Sequence, residues 1–181
     1  MKPACASSRE IAVNKRVPAS SLGLTVAILA AWIGHEGFTA APTIPTKGDV
    51  PTIGHGATHY EDGTRVTLAD PPISRQRAGE LAANLLQNTY VACVKRSLGD
   101  TLMFPVEFDQ AVDFAGQYGC TRWWNSTMRT QYVAGNYGPA CRAYLLYKFA
   151  AGYDCSTPGN KRCLGVWTRQ LARHAACTGV L

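Results

Sequence analysis

The sequence predicts an α+β fold that is mainly α, with one small β element among a series of helices. Three observations point there. Residues 50–58 form a short apolar and Gly-rich segment, and Asp62-Gly63 follows as a hairpin turn signal with residues 65–68 as the return strand. From residue 74 onward, apolar residues recur at helical spacing through most of the chain. No internal repeat, low-complexity tract or Pro/Ser linker interrupts this pattern.

The chain has 181 residues, enough for one domain with a real core or for two small lobes. Hydrophobic residues make up 46% and charged residues 17%, which argues against disorder along the whole chain. Lys and Arg outnumber Asp and Glu, giving a net charge of +6. That balance favours anionic partners: nucleic acid, an anionic lipid surface or an anionic cell-wall polymer. The basic residues form no clustered arm or recognised motif, so a nucleic-acid partner is not expected. Seven cysteines, at positions 5, 93, 120, 141, 155, 163 and 177, suit an oxidising destination with up to three bridges and one thiol left over. Cys155 and Cys163 bracket a short loop that they could staple, while burial as small apolar residues is the other reading.

Residues 1–20 are polar and read as a flexible lead segment, leaving 21–181 as the folded domain. Residues 22–33 are an apolar run preceded by basic residues. It reads either as the buried first helix, which is the commoner fate of a run this length, or as an uncleaved export signal able to associate transiently with a membrane. Pro71-Pro72 closes the β element, and Ser74 is placed to cap a long helix ending at Gly99-Asp100. Further helices are predicted from Pro105 to Gly119, over 123–134, over 137–150 and over 162–177, with a loop at 152–160.

The chemistry concentrates in residues 32–58. A helix-forming run ends on Glu36-Gly37, a Pro- and Thr-containing coil follows, and Gly-Asp-Val-Pro-Thr-Ile-Gly-His-Gly occupies 48–56. This places one carboxyl group at a helix end and folds back a strand bearing Asp49 and Thr52. Two acids flanking a cleft are what glycosidic bond hydrolysis uses. Glu36 is the candidate general acid, and Trp32 and Ile33 could supply the partial burial that keeps such an acid protonated. Thr52 could hold a water or a sugar oxygen, although a strand Thr is ordinarily a β-former. Gly54 and Gly56 suit backbone that approaches a ligand or bends sharply.

Glu-Gly at a helix end followed by Val-Pro-Thr-Ile-Gly-His-Gly resembles the phage-type lysozymes of glycoside hydrolase family 24, and the resemblance runs from about Leu24 to the C-terminus. It implies a two-lobed lysozyme-like fold, with a β-hairpin lobe over about 37–72 and a helical lobe over about 73–181 that includes the first helix. It also implies hydrolysis of the β-1,4 bond between N-acetylmuramic acid and N-acetylglucosamine in peptidoglycan, with inversion, during lysis of a bacterial host. A monomer, made in the host cytoplasm and acting in the periplasm without a cofactor, is expected. Glu36 takes the place of the family's acid and Thr52 that of its hairpin Thr. Gly54 and His55 fall on the same motif as substrate-binding candidates, and Gln117 stands where the family's Phe-x-x-Asn-x-Gly signature has Asn.

The sequence departs from the family at its second acid. The usual place, six residues before the Thr, holds Thr46, and Asp49 lies three residues before it. Either Asp49 takes the carboxylate role through a reshaped loop, or Glu36 and Thr52 act as the main pair. The displaced acid also keeps open a non-catalytic wall-binding protein, and residues 22–33 a membrane-active basic protein. His35, His55 and His59 with Asp49 match no zinc spacing, and Cys155, Cys163, His174 and Cys177 include no Cys-x-x-Cys pair, so no metal is expected. Trp123, Trp124, Tyr118, Tyr132 and Tyr137 read as core more than as a sugar platform. Arg122 and Arg129 read as a solvated face.

Overall fold

The computed structural model describes residues 15–181. The lead segment's first fourteen residues, and Cys5 with them, lie outside the described residues. In chain order the elements are β1 (Val17–Pro18), α1 (Val26–Glu36), β2 (Thr39–Thr43), β3 (Thr52–Gly54), α2 (Arg75–Leu85), a π-helical stretch (Leu86–Val91) and α3 (Ala92–Leu98). Then follow β4 (Leu102–Met103), α4 (Pro105–Tyr118), α5 (Cys120–Trp124), α6 (Thr127–Val133) and α7 (Tyr137–Ala143). The chain closes with β5 (Phe149–Ala150), β6 (Tyr153–Asp154) and α8 (Leu164–Thr178). The fold is α+β and mainly α, as predicted. The described residues divide into two compact units, one of residues 23–93 and one of residues 94–181 together with residues 15–22. The first helix thus groups with the hairpin.

In the 23–93 unit, Thr25 caps α1 by accepting the Ile28 N–H at 3.2 Å, and Gly37, with φ 72°, ends it. The helix is apolar all round but buries only Ile28 and Trp32, so much of the run 22–33 is occupied by this helix. No helix among the described residues is long and apolar enough to cross a membrane. Strands β2 and β3 pair antiparallel, Thr39 opposite Gly54 and Thr43 opposite Thr52. Four steps on β2 match two on β3, so the ladder is irregular. Ile53, Ala57, Val66 and Leu81 form a small core, with Tyr60 and Ile73 packed on it.

The predicted return strand at 65–68 reduces to one bridge, His59 opposite Arg65. Asp70 explains this: its carboxylate accepts the Thr67 N–H, the Thr67 hydroxyl and the Tyr60 hydroxyl, which curls the chain into a turn. Ser74 caps α2 by accepting the Arg77 N–H, as its place in the sequence suggested.

In the 94–181 unit, α4 buries Phe108, Ala111, Val112, Phe114 and Ala115 on one face. Trp123, Met128, Tyr132 and Tyr144 complete the core. Buried Glu107 accepts the Phe104 N–H at 2.8 Å and a two-point contact from Arg16, whose guanidinium lies over the rings of Phe104 and Tyr137. Together with β1 pairing on β4, this fastens residues 16–18 to the unit. Asp113 sits between Arg169 and Arg173 of α8.

Cys141–Cys177 joins α7 to α8, and Cys155–Cys163 staples its loop as its spacing allowed. Cys93 and Cys120 are also in disulfide linkage. The predicted helix 123–134 is broken at Asn125-Ser126, because Ser126 caps a new helix by accepting the Arg129 N–H. The predicted helix 137–150 stops early, and β5 and β6 form a hairpin across Ala151 and Gly152, with φ 49° and 82°.

Candidate active site

Glu36 is the last residue of α1, where the helix has left its buried face behind. It is exposed, so the expected partial burial by Trp32 and Ile33 is corrected: Trp32, one turn earlier, is buried, but the core does not extend to the helix end. The Trp32 and Tyr90 rings lie 5.7 Å apart. The Tyr90 hydroxyl is held above the usual tyrosine range, chiefly by burial and further by the negative charge of Glu36. Tyr90 therefore belongs to the electrostatic surroundings of the acid. No local signal in the sequence marked it, since it lies on a helix far along the chain.

The Ile53 and Ala57 backbones exchange hydrogen bonds of 2.9 and 3.0 Å and close the turn Gly54-His55-Gly56. Both glycines have positive φ, 66° and 81°, which only glycine adopts readily. At Gly54 a side chain would also intrude, and at Gly56 it would fit in van der Waals contact with the acid. A Cβ on Gly54 would lie 2.9 Å from the Cβ of Ala78 on α2, and one on Gly56 would lie 3.6 Å from Glu36 Oε2. Gly54 is buried against α2, a setting of packing and bending. Gly56 is exposed and presents bare backbone to the acid.

His55 is buried, and its Nδ1–H donates to the carbonyl of Gly37, the residue after Glu36. Its ring lies 5.8 Å from that of Phe38, over which Arg75 stacks at 4.3 Å. These contacts tie the glycine turn to the end of α1.

Thr52 is half-buried on β3, and its hydroxyl donates to the Thr43 carbonyl at 3.3 Å. Asp49 is exposed, and its N–H bonds the Thr46 carbonyl at 2.9 Å. Thr46-Lys47-Gly48-Asp49 is thus a β-turn, with Gly48 at φ 96°. Such a turn brings its first and fourth residues within about 7 Å between Cα atoms. Asp49 is folded back beside Thr46, a closeness that counting along the sequence does not reveal. Gln117 lies on α4 in the other unit, with its Oε1 buried and without a hydrogen-bond partner among the described residues.

His35 is exposed, and exposed His59 contacts the Thr58 hydroxyl. Among the described residues no group of three or more His, Cys, Asp or Glu could hold a metal ion. Trp123 is core, bonded to the Ser97 hydroxyl, and Tyr132 is core as well, whereas Trp124 is exposed beneath Arg129.

An acid at the end of a short helix, a hairpin with a Thr and a glycine turn folded onto that acid, and a helical unit downstream define a lysozyme-type glycosidase. The chain belongs to the phage lysozyme family, whose model matches residues 34–170. Three solved structures are similar in fold. A mutant of P22 lysozyme has TM-score 0.70 and 23% identity, over 87% of this chain and 99% of its own. The endolysin from Escherichia coli O157:H7 phage FAHEc1 has TM-score 0.65 and 19% identity, over 89% and 96%. The muramidase domain of SpmX from Asticaccaulis excentricus has TM-score 0.64 and 16% identity, over 88% and 97%. No match to a curated protein sequence is found. The protein is a peptidoglycan hydrolase that cleaves the β-1,4 bond between N-acetylmuramic acid and N-acetylglucosamine.

Proposed function

We propose that Glu36 is the general acid of this hydrolysis and that Asp49, with Thr52, activates and positions the water. Glu36 passes its proton to the glycosidic oxygen as the bond to the anomeric carbon breaks. Water attacks that carbon from the opposite face, and its proton goes to Asp49. The product sugar has inverted configuration, and one proton exchange with solvent resets the two carboxyls. The observation that carries this reading is the nearness of the exposed Glu36 carboxylate to the Gly54-His55-Gly56 turn, where a Cβ on Gly56 would lie 3.6 Å from Oε2.

The Thr46–Asp49 turn supports Asp49 as the second acid, because it returns this carboxylate to the neighbourhood of the family's usual position. His55 acts by holding Gly37, and through it the acid, more than by touching sugar. The enzyme works as a monomer on the periplasmic face of the wall, after synthesis in the host cytoplasm. Residues 26–33 of the apolar run serve as part of its first helix, a reading supported by the burial of Ile28 and Trp32.

Mass analysis of digested peptidoglycan tests the chemistry. Hydrolysis yields muropeptides ending in reducing N-acetylmuramic acid, and NMR of fresh product shows the α-anomer first. Anhydro-muramic products, or β-anomer first, would contradict the assignment of water and inversion.

A further inference from the structure

A cavity of about 320 Å³ lies within the 23–93 unit, between the chain that follows the glycine turn and the helix that Ser74 caps. Ala57 and Thr58 line it on one side, and Asn84, Leu85, Asn88 and Thr89 on the other, the last two from the π-helical stretch. Both walls lead to the acid. Ala57 is joined to Gly56, where a Cβ would lie 3.6 Å from Glu36 Oε2. Thr89 is joined to Tyr90, whose ring packs 5.7 Å from that of Trp32, one helical turn before Glu36. Consecutive Cα atoms are about 3.8 Å apart, so the cavity begins one residue from the groups around the acid.

The lining selects among ligands. Ala57 and Leu85 supply apolar contact. The carboxamides of half-buried Asn84 and exposed Asn88 make no side-chain hydrogen bond among the described residues. Each can donate and accept, which matches the N–H and C=O of an acetamido group and the hydroxyls of a sugar. An apolar wall with a few convergent polar groups is the usual make-up of a small-ligand site, and this volume is at the low end of the usual range of about 300–1,000 Å³, which suits a single sugar residue. No Lys or Arg lines the cavity. Its one carboxylate, Glu61, holds Arg77 through both oxygens at 2.6 Å. An anionic ligand group would meet a like charge there and no lining cation.

We infer that this cavity is the sugar subsite beside the cleaved residue, and that Asn84 and Asn88 make it specific for N-acetylglucosamine. The inference rests on the catalytic reading of Glu36. Hydrolysis leaves N-acetylmuramic acid at the new reducing end, so both neighbours of the cleaved residue in the alternating polymer are N-acetylglucosamine. A subsite next to the acid therefore takes an uncharged acetamido sugar on whichever side of the bond it serves. Two unengaged carboxamides and the lack of a lining cation fit that sugar. N-acetylmuramic acid in the same place would carry its lactyl group, with the acidic peptide attached, into a cavity lined by a carboxylate.

Titration of the full chain with the N-acetylglucosamine trimer, followed by calorimetry and NMR, tests it. The trimer binds wild type and Glu36→Gln alike and shifts the side-chain amide signals of Asn84 and Asn88. Cellotriose, the same chain without acetamido groups, binds at least about tenfold more weakly, and so does the trimer to Asn84→Ala/Asn88→Ala. On soluble wall fragments that double variant raises KM at least about tenfold and changes kcat less than about threefold, the pattern of lost ground-state contact. Its unfolding midpoint stays that of the wild type. Equal affinity for cellotriose, wild-type affinity and KM in the double variant, or amide shifts confined to residues outside the cavity would overturn the inference. Binding is read apart from cleavage, so the two readings fail separately. Clearing of cell walls by Glu36→Gln would count against the acid, whereas an active wild type that does not distinguish the two trimers would refute the subsite alone.

Discussion

The carboxylate of Glu36 stands near Gly56: a methyl group built on that glycine would lie 3.6 Å from Oε2, in van der Waals contact. The position also has φ 81°, a left-handed conformation that costs an L-residue about 1–2 kcal/mol. Gly56→Ala is therefore expected to lower stability by about that amount through backbone strain, while kcat changes by less than about tenfold because the added methyl fits beside the acid. Thermal unfolding and steady-state kinetics on wall fragments measure the two effects separately.

Gly54→Ala falls on the same turn but acts differently. Its Cβ would meet the Ala78 Cβ at 2.9 Å and the Ala78 Cα at 3.2 Å, besides forcing φ 66° on alanine. Strain and overpacking together predict a loss of about 2–4 kcal/mol, larger than at Gly56. Urea unfolding of the two variants side by side gives the ranking, and a smaller loss at Gly54 would refute it.

The second acid can be moved. Asp49→Asn is expected to lower kcat by about 10²–10⁴, the range for loss of a general base. Because the β-turn sets Thr46 beside Asp49, adding Thr46→Asp to that variant should restore part of the rate. A wild-type rate in Asp49→Asn, with collapse only in Thr52→Ala, would instead leave Glu36 and Thr52 as the working pair.

How far the sequence reached is clear at such places. Glu36-Gly37, the Thr52–Gly56 motif, the Ser74 cap and the Pro105 and Gly119 limits of α4 are local signals, and each stands where its residues put it. What stayed hidden depended on partners distant in sequence or on turn geometry. The Asp49–Thr46 turn rests on one backbone hydrogen bond, and Tyr90 meets Trp32 from a helix far downstream. The split at Ser126 and the early end of α7 arise where capping and a hairpin overrode helical spacing.

Acid should loosen the helical unit through Asp113. Burial alone would raise its pKa, but the Arg169 hydrogen bond and the Arg173 charge outweigh that and hold it below the ordinary 3.8. A depressed folded pKa means that its contribution is in place above about 3.8 and is lost as pH falls through the lower folded value. Asp113→Asn takes its carboxylate away from two largely buried guanidiniums and should cost about 3–5 kcal/mol at neutral pH. It should also flatten the fall in stability below pH 4, which circular dichroism across a pH series would show.

The disulfides set a further expectation. Replacing Cys141 and Cys177 by Ser opens a sequence separation of 36 and should cost about 3–4 kcal/mol on chain entropy. Opening Cys155–Cys163, with a separation of 8, should cost about 2.5 kcal/mol. Denaturant curves of each double variant against the oxidised wild type give these differences directly.

The most direct test of the account is the fall in turbidity of a purified cell-wall suspension with wild type and with Glu36→Gln at equal concentration, both checked for the same unfolding midpoint. Clearing by the wild type and none by Glu36→Gln is the predicted result. Clearing by Glu36→Gln at the wild-type rate would contradict the assignment of the proton donor.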